Sequence, residues 1–206
     1  MPASRRIIER SDILSPEIYA KERKERRAAI TALKKNRRVA VGPYATFYFE
    51  NYDTMFQQIH EMLYIEKGGE EQIADELAAY NPLIPKGDEL VTTLMFEIDD
   101  EVRRDKELRR LTGVEDHIYI DIGGLRVTAV PEGDVERTKA DGKTSSVHFL
   151  HFPFKLQEIE KFRDPATQVI IAIAHPNYGH MAMLTPDTRA ALAADFAQSY
   201  SKFSSE

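Results

Sequence analysis

The sequence contains no cysteine among its 206 residues. This absence excludes disulfide bonds, thiol nucleophiles, iron–sulfur ligation by this chain and cysteine zinc sites. A metal ion bound by this chain would have to be held by histidine, aspartate or glutamate side chains.

Long apolar runs are also missing. No stretch approaches the ~20 residues that a membrane helix needs, and the N-terminus lacks the apolar segment of a signal peptide. The apolar share of 42% is typical of a globular protein in water. We therefore expect no membrane insertion and a cytoplasmic location.

Several catalytic signatures are absent as well. The chain has no phosphate-binding glycine loop with Lys-Ser/Thr, no dinucleotide fingerprint, no HExxH and no serine elbow. These absences argue against the enzyme classes that carry such motifs. General acid–base chemistry from scattered Glu and His side chains stays open, so the sequence leaves undecided whether the protein is an enzyme.

Basic residues concentrate near the N-terminus. Residues 1–40 carry twelve Lys or Arg against five Asp or Glu, although the net charge of the whole chain is −6. A basic segment of this kind suits contact with nucleic acid, a membrane surface or an acidic protein. It could equally dock on the acidic remainder of its own chain.

A helix is predicted over residues 16–35, because Ser15-Pro16 is a helix start and the segment after it is dominated by Lys, Arg, Glu and Ala. We predict that Arg23, Arg26 and Arg27 on this helix dock a partner. Interleaved glutamates and the lack of an aromatic platform argue against nucleic acid as that partner.

The order of elements predicts an α+β fold, in which a helical N-terminal part packs on a largely antiparallel β-sheet. Helical periodicity prevails before residue 80, whereas later segments alternate as strands around turn signals such as Gly123-Gly124. We predict a loose N-terminus over residues 1–13 and a single domain over residues 14–206.

Residues 37–66 form the segment around which the predicted fold is organised. A short hairpin there, turning at Gly42-Pro43, runs into a helix that Asn51 or Asp53 can cap. Besides its apolar stripe, this segment presents a polar row. The row is formed by Glu50, Thr54, Gln57 and Glu61. It either faces solvent, as most polar helix faces do, or supplies a carboxylate, an amide and a hydroxyl to a cleft.

Histidines supply the other candidate site groups. In a straight strand His148 and His151 face opposite sides, so they cannot serve one site. His175 and His180 bracket the turn Pro176–Gly179, and simple register would place them opposite each other, as the edge of a metal site. Solvation of a hairpin end is the plainer interpretation of that pair.

Five segments together resemble a bacterial family, the domain-of-unknown-function family numbered 3501, over roughly residues 14–196. The segments are RRVAVGPYATFYFEN, QQIHEML, YNPLIPKGDELVTTLMFEI, KTSSVHFLHF and HPNY. The resemblance implies a role beside rubrerythrin-like and iron–sulfur oxidoreductase proteins, which the family's members tend to be encoded next to. It also implies a set of candidate site residues. They are Glu50, Asn51, Gln57, Glu61, Asn81, His148, His175, Asn177 and Tyr178.

The sequence leaves three hypotheses for function. The first is an accessory or binding protein that works with a redox or oxidative-stress partner, either an iron–sulfur oxidoreductase or a rubrerythrin-like protein. The second is a metal-dependent enzyme or metal-binding protein, with iron, zinc or manganese held by Glu61, His148 and His175 between the central helix and the sheet. The third is nucleic-acid binding through the basic helix. A homodimer is the expected assembly, since closed twofold assemblies are the commonest.

Overall fold

Helical periodicity and short turns divide the chain into alternating elements. The computed structural model describes residues 5–133 and 142–197, so parts of the predicted N-terminus and of the predicted domain 14–206 lie outside the described residues. The helices are α1 (Pro16–Lys35), α2 (Tyr52–Glu66), α3 (Gly69–Tyr80), α4 (Glu101–Arg110), α5 (Leu156–Arg163) and α6 (Pro186–Ala193). The strands are β1 (Arg38–Val41), β2 (Ala45–Glu50), β3 (Glu89–Phe96), β4 (Ile118–Ile122), β5 (Leu125–Thr128), β6 (Val130–Pro131), β7 (Val147–Pro153), β8 (Val169–His175) and β9 (Tyr178–Met183).

Local chemistry accounts for several of these boundaries. Ser15 caps α1 by accepting a hydrogen bond from the Ile18 amide, and Pro16 occupies the first turn. Asn51 caps α2 in a reciprocal capping box with Thr54. The tight turn between β4 and β5 needs left-handed backbone, and glycines at positions 123 and 124 provide φ of +56° and +91° there.

The strands form two sheets in which every described pairing is antiparallel. The larger sheet has the order β1-β2-β3-β7-β6, and the smaller has the order β5-β4-β8-β9. Helices α1 to α3 lie against the larger sheet through α2. The prediction of an α+β fold with a helical N-terminal part on a largely antiparallel sheet is therefore confirmed.

The larger sheet separates two apolar cores. One core joins the two sheets and includes Leu94 and Leu150 with Ile120 and Ile171. The other lies between the opposite face of the larger sheet and α2, whose Phe56 and Ile59 meet Val91 of β3. Because side chains alternate along a strand, each residue of β3 and β7 faces one core only. Within residues 5–133 and 142–197, no helix combines the length and the apolar character needed to cross a membrane.

The N-terminal segment differs from the loose terminus that the sequence predicted. Ile8 is 1% exposed and belongs to the apolar core under α2. The Asn81 amide holds it by accepting from the Ile8 amide at 2.8 Å and donating to the Ile8 carbonyl at 3.0 Å. This contact joins residues that lie 73 positions apart in the chain, so sequence periodicity could not reveal it.

The register of the last hairpin also corrects a prediction. His175 pairs with Tyr178 across a two-residue turn, and His180 pairs with Ile173. The expected four-residue turn is wrong, because Tyr178 and Gly179 continue the strand. His175 and His180 therefore do not lie opposite each other.

One buried arginine connects the end of β2 to α6 and the residues after it. Arg37 is 3% exposed and donates to the carbonyls of Phe49 and Glu50, each at 3.0 Å. Its remaining donors reach the Ala191 carbonyl and the carboxylate of Asp195, with which it forms a buried ion pair. All these acceptors lie around one guanidinium, so its removal leaves several buried groups without a donor.

Replacing Arg37 by Met should lower the free energy of unfolding by about 3–5 kcal/mol, because Asp195 becomes a buried charge without its partner. The matched control is Arg38→Met, which removes an exposed ion pair with Glu97 and should cost less than about 1 kcal/mol. Urea denaturation of both variants measures the difference. Equal losses in the two variants would contradict the central position of Arg37.

Candidate functional site

The polar row of α2 meets α1 in a small hydrogen-bonded cluster, which we call the Glu61 cluster: Glu61, Gln57, Tyr19 and Arg23. Arg23 donates to both carboxylate oxygens of Glu61 at 2.8 and 2.9 Å. The Tyr19 hydroxyl donates to Glu61 at 2.6 Å and accepts from the Gln57 amide at 2.6 Å. Gln57 and Glu61 of the row therefore face α1 rather than an open cleft.

Electrostatics fixes the protonation states of this cluster. The guanidinium of Arg23 holds the pKa of Glu61 below its usual value. Burial, together with the hydrogen bond to Glu61, raises the pKa of the Tyr19 hydroxyl. Near neutral pH the carboxylate stays ionised and the phenol stays protonated. The cluster is therefore suited to joining two helices rather than to exchanging protons.

The three arginines predicted to dock a partner have different surroundings. Arg23 is bound to Glu61, and Arg26 pairs with Glu22 while its guanidinium lies 5.6 Å from the Phe56 ring centre. Arg27 is exposed and has no ion pair among the described residues. Of the predicted trio, Arg27 alone therefore presents an uncompensated charge to a partner within the described structure.

Sequence reasoning missed Lys24, which lies one helical turn before Arg27 and is exposed without an ion pair in the described parts of the chain. The two cations border a shallow depression of about 370 Å³ at the junction of α1 with the end of α2. Arg23 lies over the ring of Tyr64 in its floor, 4.6 Å from the ring centre. The i, i+3 spacing of Lys24 and Arg27 was the signal that could have identified this basic flank.

Three further predicted residues hold the scaffold. Glu50 is 6% exposed and accepts from the Thr93 hydroxyl at 2.8 Å. Asn51 caps α2, and Asn81 anchors Ile8. Each of these side chains has a structural partner that accounts for its position.

The HPNY segment closes the C-terminal end of α4. The Asn177 side chain donates to the Arg110 carbonyl at 2.7 Å, and its backbone amide donates to Nδ1 of His175 at 3.2 Å. Nε2 of His175 then carries the proton and donates to the Thr112 carbonyl at 3.3 Å. Burial lowers the pKa of His175, which keeps the ring neutral. Tyr178 donates to the Val41 carbonyl at 2.7 Å and so connects β9 to β1.

His148 is buried between the sheets. Its Nε2 lies 2.9 Å from the Ser145 carbonyl, and its Nδ1 lies 4.0 Å from a carboxylate oxygen of Glu115. The burial pattern of β7 confirms that His148 and His151 face opposite sides of the strand, since His148 is buried and His151 is half-buried.

The metal trio predicted from Glu61, His148 and His175 is not assembled. His148 faces the core between the two sheets, beside Leu94 and Phe96, whereas α2 and Glu61 lie beyond the other face of the larger sheet. Strand alternation explains the separation, because it decides which face of β7 carries His148. No group of three or more His, Asp and Glu side chains within residues 5–133 and 142–197 is arranged to hold a metal ion.

The structure also shows an imidazole held between two carboxylates, which the sequence did not indicate. Nδ1 of His151 lies 2.8 Å from Glu89, and Nε2 lies 2.8 Å from Glu132. Glu89 precedes His151 by 62 residues, so only the pairing of β3 with β7 brings them together. Hydrogen bonding to Glu89, followed by the nearby charges, raises the pKa of His151.

Comparisons with known proteins agree on the family and name no activity. Residues 7–196 match the family model described as "Protein of unknown function (DUF3501)", which confirms the resemblance seen in the sequence. A crystal structure of a novel protein of unknown function from Burkholderia pseudomallei is 38% identical, with a TM-score of 0.85 over 92% of this chain and 99% of that chain. No curated protein matches the chain.

The link between His151 and its two carboxylates should make stability depend on pH. Because the folded-state pKa of His151 is raised, its contribution is complete below the unfolded-state value near 6.5 and is lost as pH rises through the folded value. The stability difference between wild type and His151→Gln should therefore be largest near pH 6 and shrink toward pH 9. Urea denaturation across this range measures it, and a difference that grows with pH would contradict the assignment.

Proposed function

Since the chain belongs to the DUF3501 family of proteins of unknown function, whose description assigns no reaction, we propose a role from the geometry of α1. The protein is an accessory binding protein that docks an acidic partner protein through the basic flank of α1. The observation that carries this proposal is the combination of a long exposed helix with cations that have no ion pair among the described residues.

Helix α1 is far longer than its packing requires. It spans 20 residues, but only Tyr19 among them is buried. A helix that is polar on most of its surface is typically one that bridges to another body or is held by side-chain pairs. Here the Glu61 cluster and the Glu22–Arg26 pair hold the first half, so the flank bearing Lys24 and Arg27 is left available for a partner.

The charge of this flank supports an acidic partner. Lys24 and Arg27 border the depression that Tyr64 and Arg23 also line, and the charge of Arg23 there is already paired with Glu61. Exposed cations of this kind raise the rate of association with an acidic surface. Arginine with an aromatic ring is also a common centre of protein interfaces.

The family resemblance supplies the first partners to test, namely an iron–sulfur oxidoreductase and a rubrerythrin-like protein. Both would bring the redox chemistry themselves, which is consistent with a chain that has no cysteine. Nucleic acid is the less suitable ligand, because Glu17, Glu22 and Glu25 are interleaved with the cations of α1.

The contacts of each basic side chain on α1 decide which variant tests this proposal. Reversal of Arg23 or Arg26 would break contacts that hold α1, so loss of binding would have two explanations. The double variant Lys24→Glu/Arg27→Glu reverses only exposed cations, so it leaves the contacts of Arg23 and Arg26 in place. The matched control reverses Arg103 and Lys106, two exposed cations with the same i, i+3 spacing on α4.

We expect the Lys24/Arg27 reversal to weaken binding of a purified partner about tenfold or more, and the Arg103/Lys106 reversal to change it less than about twofold. Calorimetry at low and physiological salt measures both, with added salt weakening wild-type binding. Equal affinities for the two reversed proteins would contradict docking through α1. Salt-sensitive binding to a DNA duplex that only the Lys24/Arg27 reversal abolishes would replace protein docking with nucleic-acid binding.

A further inference from the structure

A cavity of about 600 Å³ lies where α1, α2 and α3 meet the segment before α1. This volume is within the range of small-molecule sites, roughly 300–1,000 Å³. Its wall is mostly apolar and comes from residues 13–16, the last turns of α2 and the first turns of α3. Docking through the basic flank of α1 uses a different depression, although Tyr64 lines both.

The cavity exists because α3 packs incompletely. No residue of α3 is buried, although Ile73 and Leu77 turn toward the rest of the protein and are half-buried. The connection from α2 to α3 passes through left-handed backbone at Lys67 (φ +55°) and Gly69 (φ +76°). Apolar surface on Leu14, Leu63 and Ile73 is therefore left facing the cavity. An apolar ligand would gain by covering it.

The floor of the cavity is formed by polar groups that already have partners. Nδ1 of His60 donates to the Phe56 carbonyl at 2.7 Å, and Nε2 accepts from the Leu14 amide at 3.0 Å. Burial lowers the pKa of His60, which agrees with this neutral tautomer. The Tyr19 hydroxyl is bound within the Glu61 cluster. The part of a ligand that reaches the floor must therefore be apolar.

The rim is different, because it carries a positive charge that no described residue pairs with. Arg10 is neutralised by a two-point pair with Glu70, with both distances 2.6 Å. Lys67 is exposed and has no ion pair among the described residues, and the Tyr64 hydroxyl makes no hydrogen bond to any of them. Tyr64 lies in the last turn of α2 and Lys67 follows the helix directly, and both side chains line the cavity.

We propose that this cavity binds a long-chain carboxylate, in which the alkyl chain lies against Leu14, Leu63 and Ile73 and the carboxylate meets Lys67 and Tyr64. The apolar wall, together with a floor whose polar groups already have hydrogen-bond partners, favours an alkyl chain. The Lys67 ammonium, which has no ion pair among the described residues, favours a negative head group. A free fatty acid and an anionic phospholipid both combine an alkyl chain with a negative head group, the first as a carboxylate and the second as a phosphate. The free acid is the better fit, because a cavity of this volume with one cationic contact accommodates one alkyl chain that carries a single negative group.

The experiment measures displacement of 11-(dansylamino)undecanoic acid from the full-length protein. Palmitate should displace the probe, whereas hexadecanol and hexadecyltrimethylammonium, which lack the negative charge, should be at least about tenfold weaker. Phosphatidylglycerol vesicles, whose head group is anionic, should not compete. Equal displacement by the acid, the alcohol and the cation would overturn the proposal, and displacement by vesicles would transfer it from a free acid to a membrane lipid.

Variants distinguish binding of palmitate in this cavity from non-specific binding elsewhere on the protein. Lys67→Met should weaken palmitate binding about tenfold, whereas Lys106→Met on α4 should leave it unchanged. Ile73→Asp places a charge in the wall and should abolish binding, whereas Ile65→Asp changes an exposed residue that does not line the cavity. Circular dichroism checks that each variant is folded. Unchanged palmitate affinity in folded Lys67→Met would contradict the predicted head-group contact.

Discussion

The ionised carboxylate of Glu61 is the contact on which the arrangement of the N-terminal helices depends. It receives hydrogen bonds from Tyr19 and Arg23 of α1, and α1 has only one buried residue to hold it otherwise. Charge-assisted hydrogen bonds are stronger than neutral ones, and a two-point pair between a guanidinium and a carboxylate also fixes their relative orientation. Glu61 thereby fixes the rotation of α1, which sets the outward direction of Lys24 and Arg27 and the position of Tyr19 in the cavity wall.

The second constraint is the larger sheet, which keeps the groups on its two faces apart. His148 and the Glu61 cluster lie on opposite sides of this sheet, so the sequence pattern that associated them could not produce a common site. Other imidazoles are also engaged. His60 and His175 have hydrogen bonds at both ring nitrogens, and His151 lies between two carboxylates. Many of the candidate residues that the resemblance implied are therefore hydrogen-bonded between elements of the fold.

Elements with local signals were predictable from the sequence. Ser15-Pro16 marks the start of α1, Asn51 marks the start of α2, and Gly123-Gly124 marks a hairpin, because each signal acts within a few residues of itself. Contacts distant in the chain were not predictable. Arg23 was expected to face a partner but reaches Glu61, which lies 38 residues later. The length of the turn at Pro176 was not predictable either. Two-residue and four-residue turns are both compatible with this sequence, and only the pairing of β8 with β9 decides between them.

Hydrogen–deuterium exchange of wild type beside Glu61→Gln measures how far α1 depends on the Glu61 carboxylate. The substitution removes the charge that Arg23 meets and places an amide beside Gln57, so amides of α1 should exchange faster while those of β3 and β7 stay protected. Glu25→Gln, which removes an exposed charge of α1 that makes no ion pair among the described residues, is the matched control and should leave exchange unchanged. Faster exchange confined to α1 and its contacts in Glu61→Gln is the predicted result. Equal protection of α1 in wild type and Glu61→Gln would contradict the role assigned to this carboxylate.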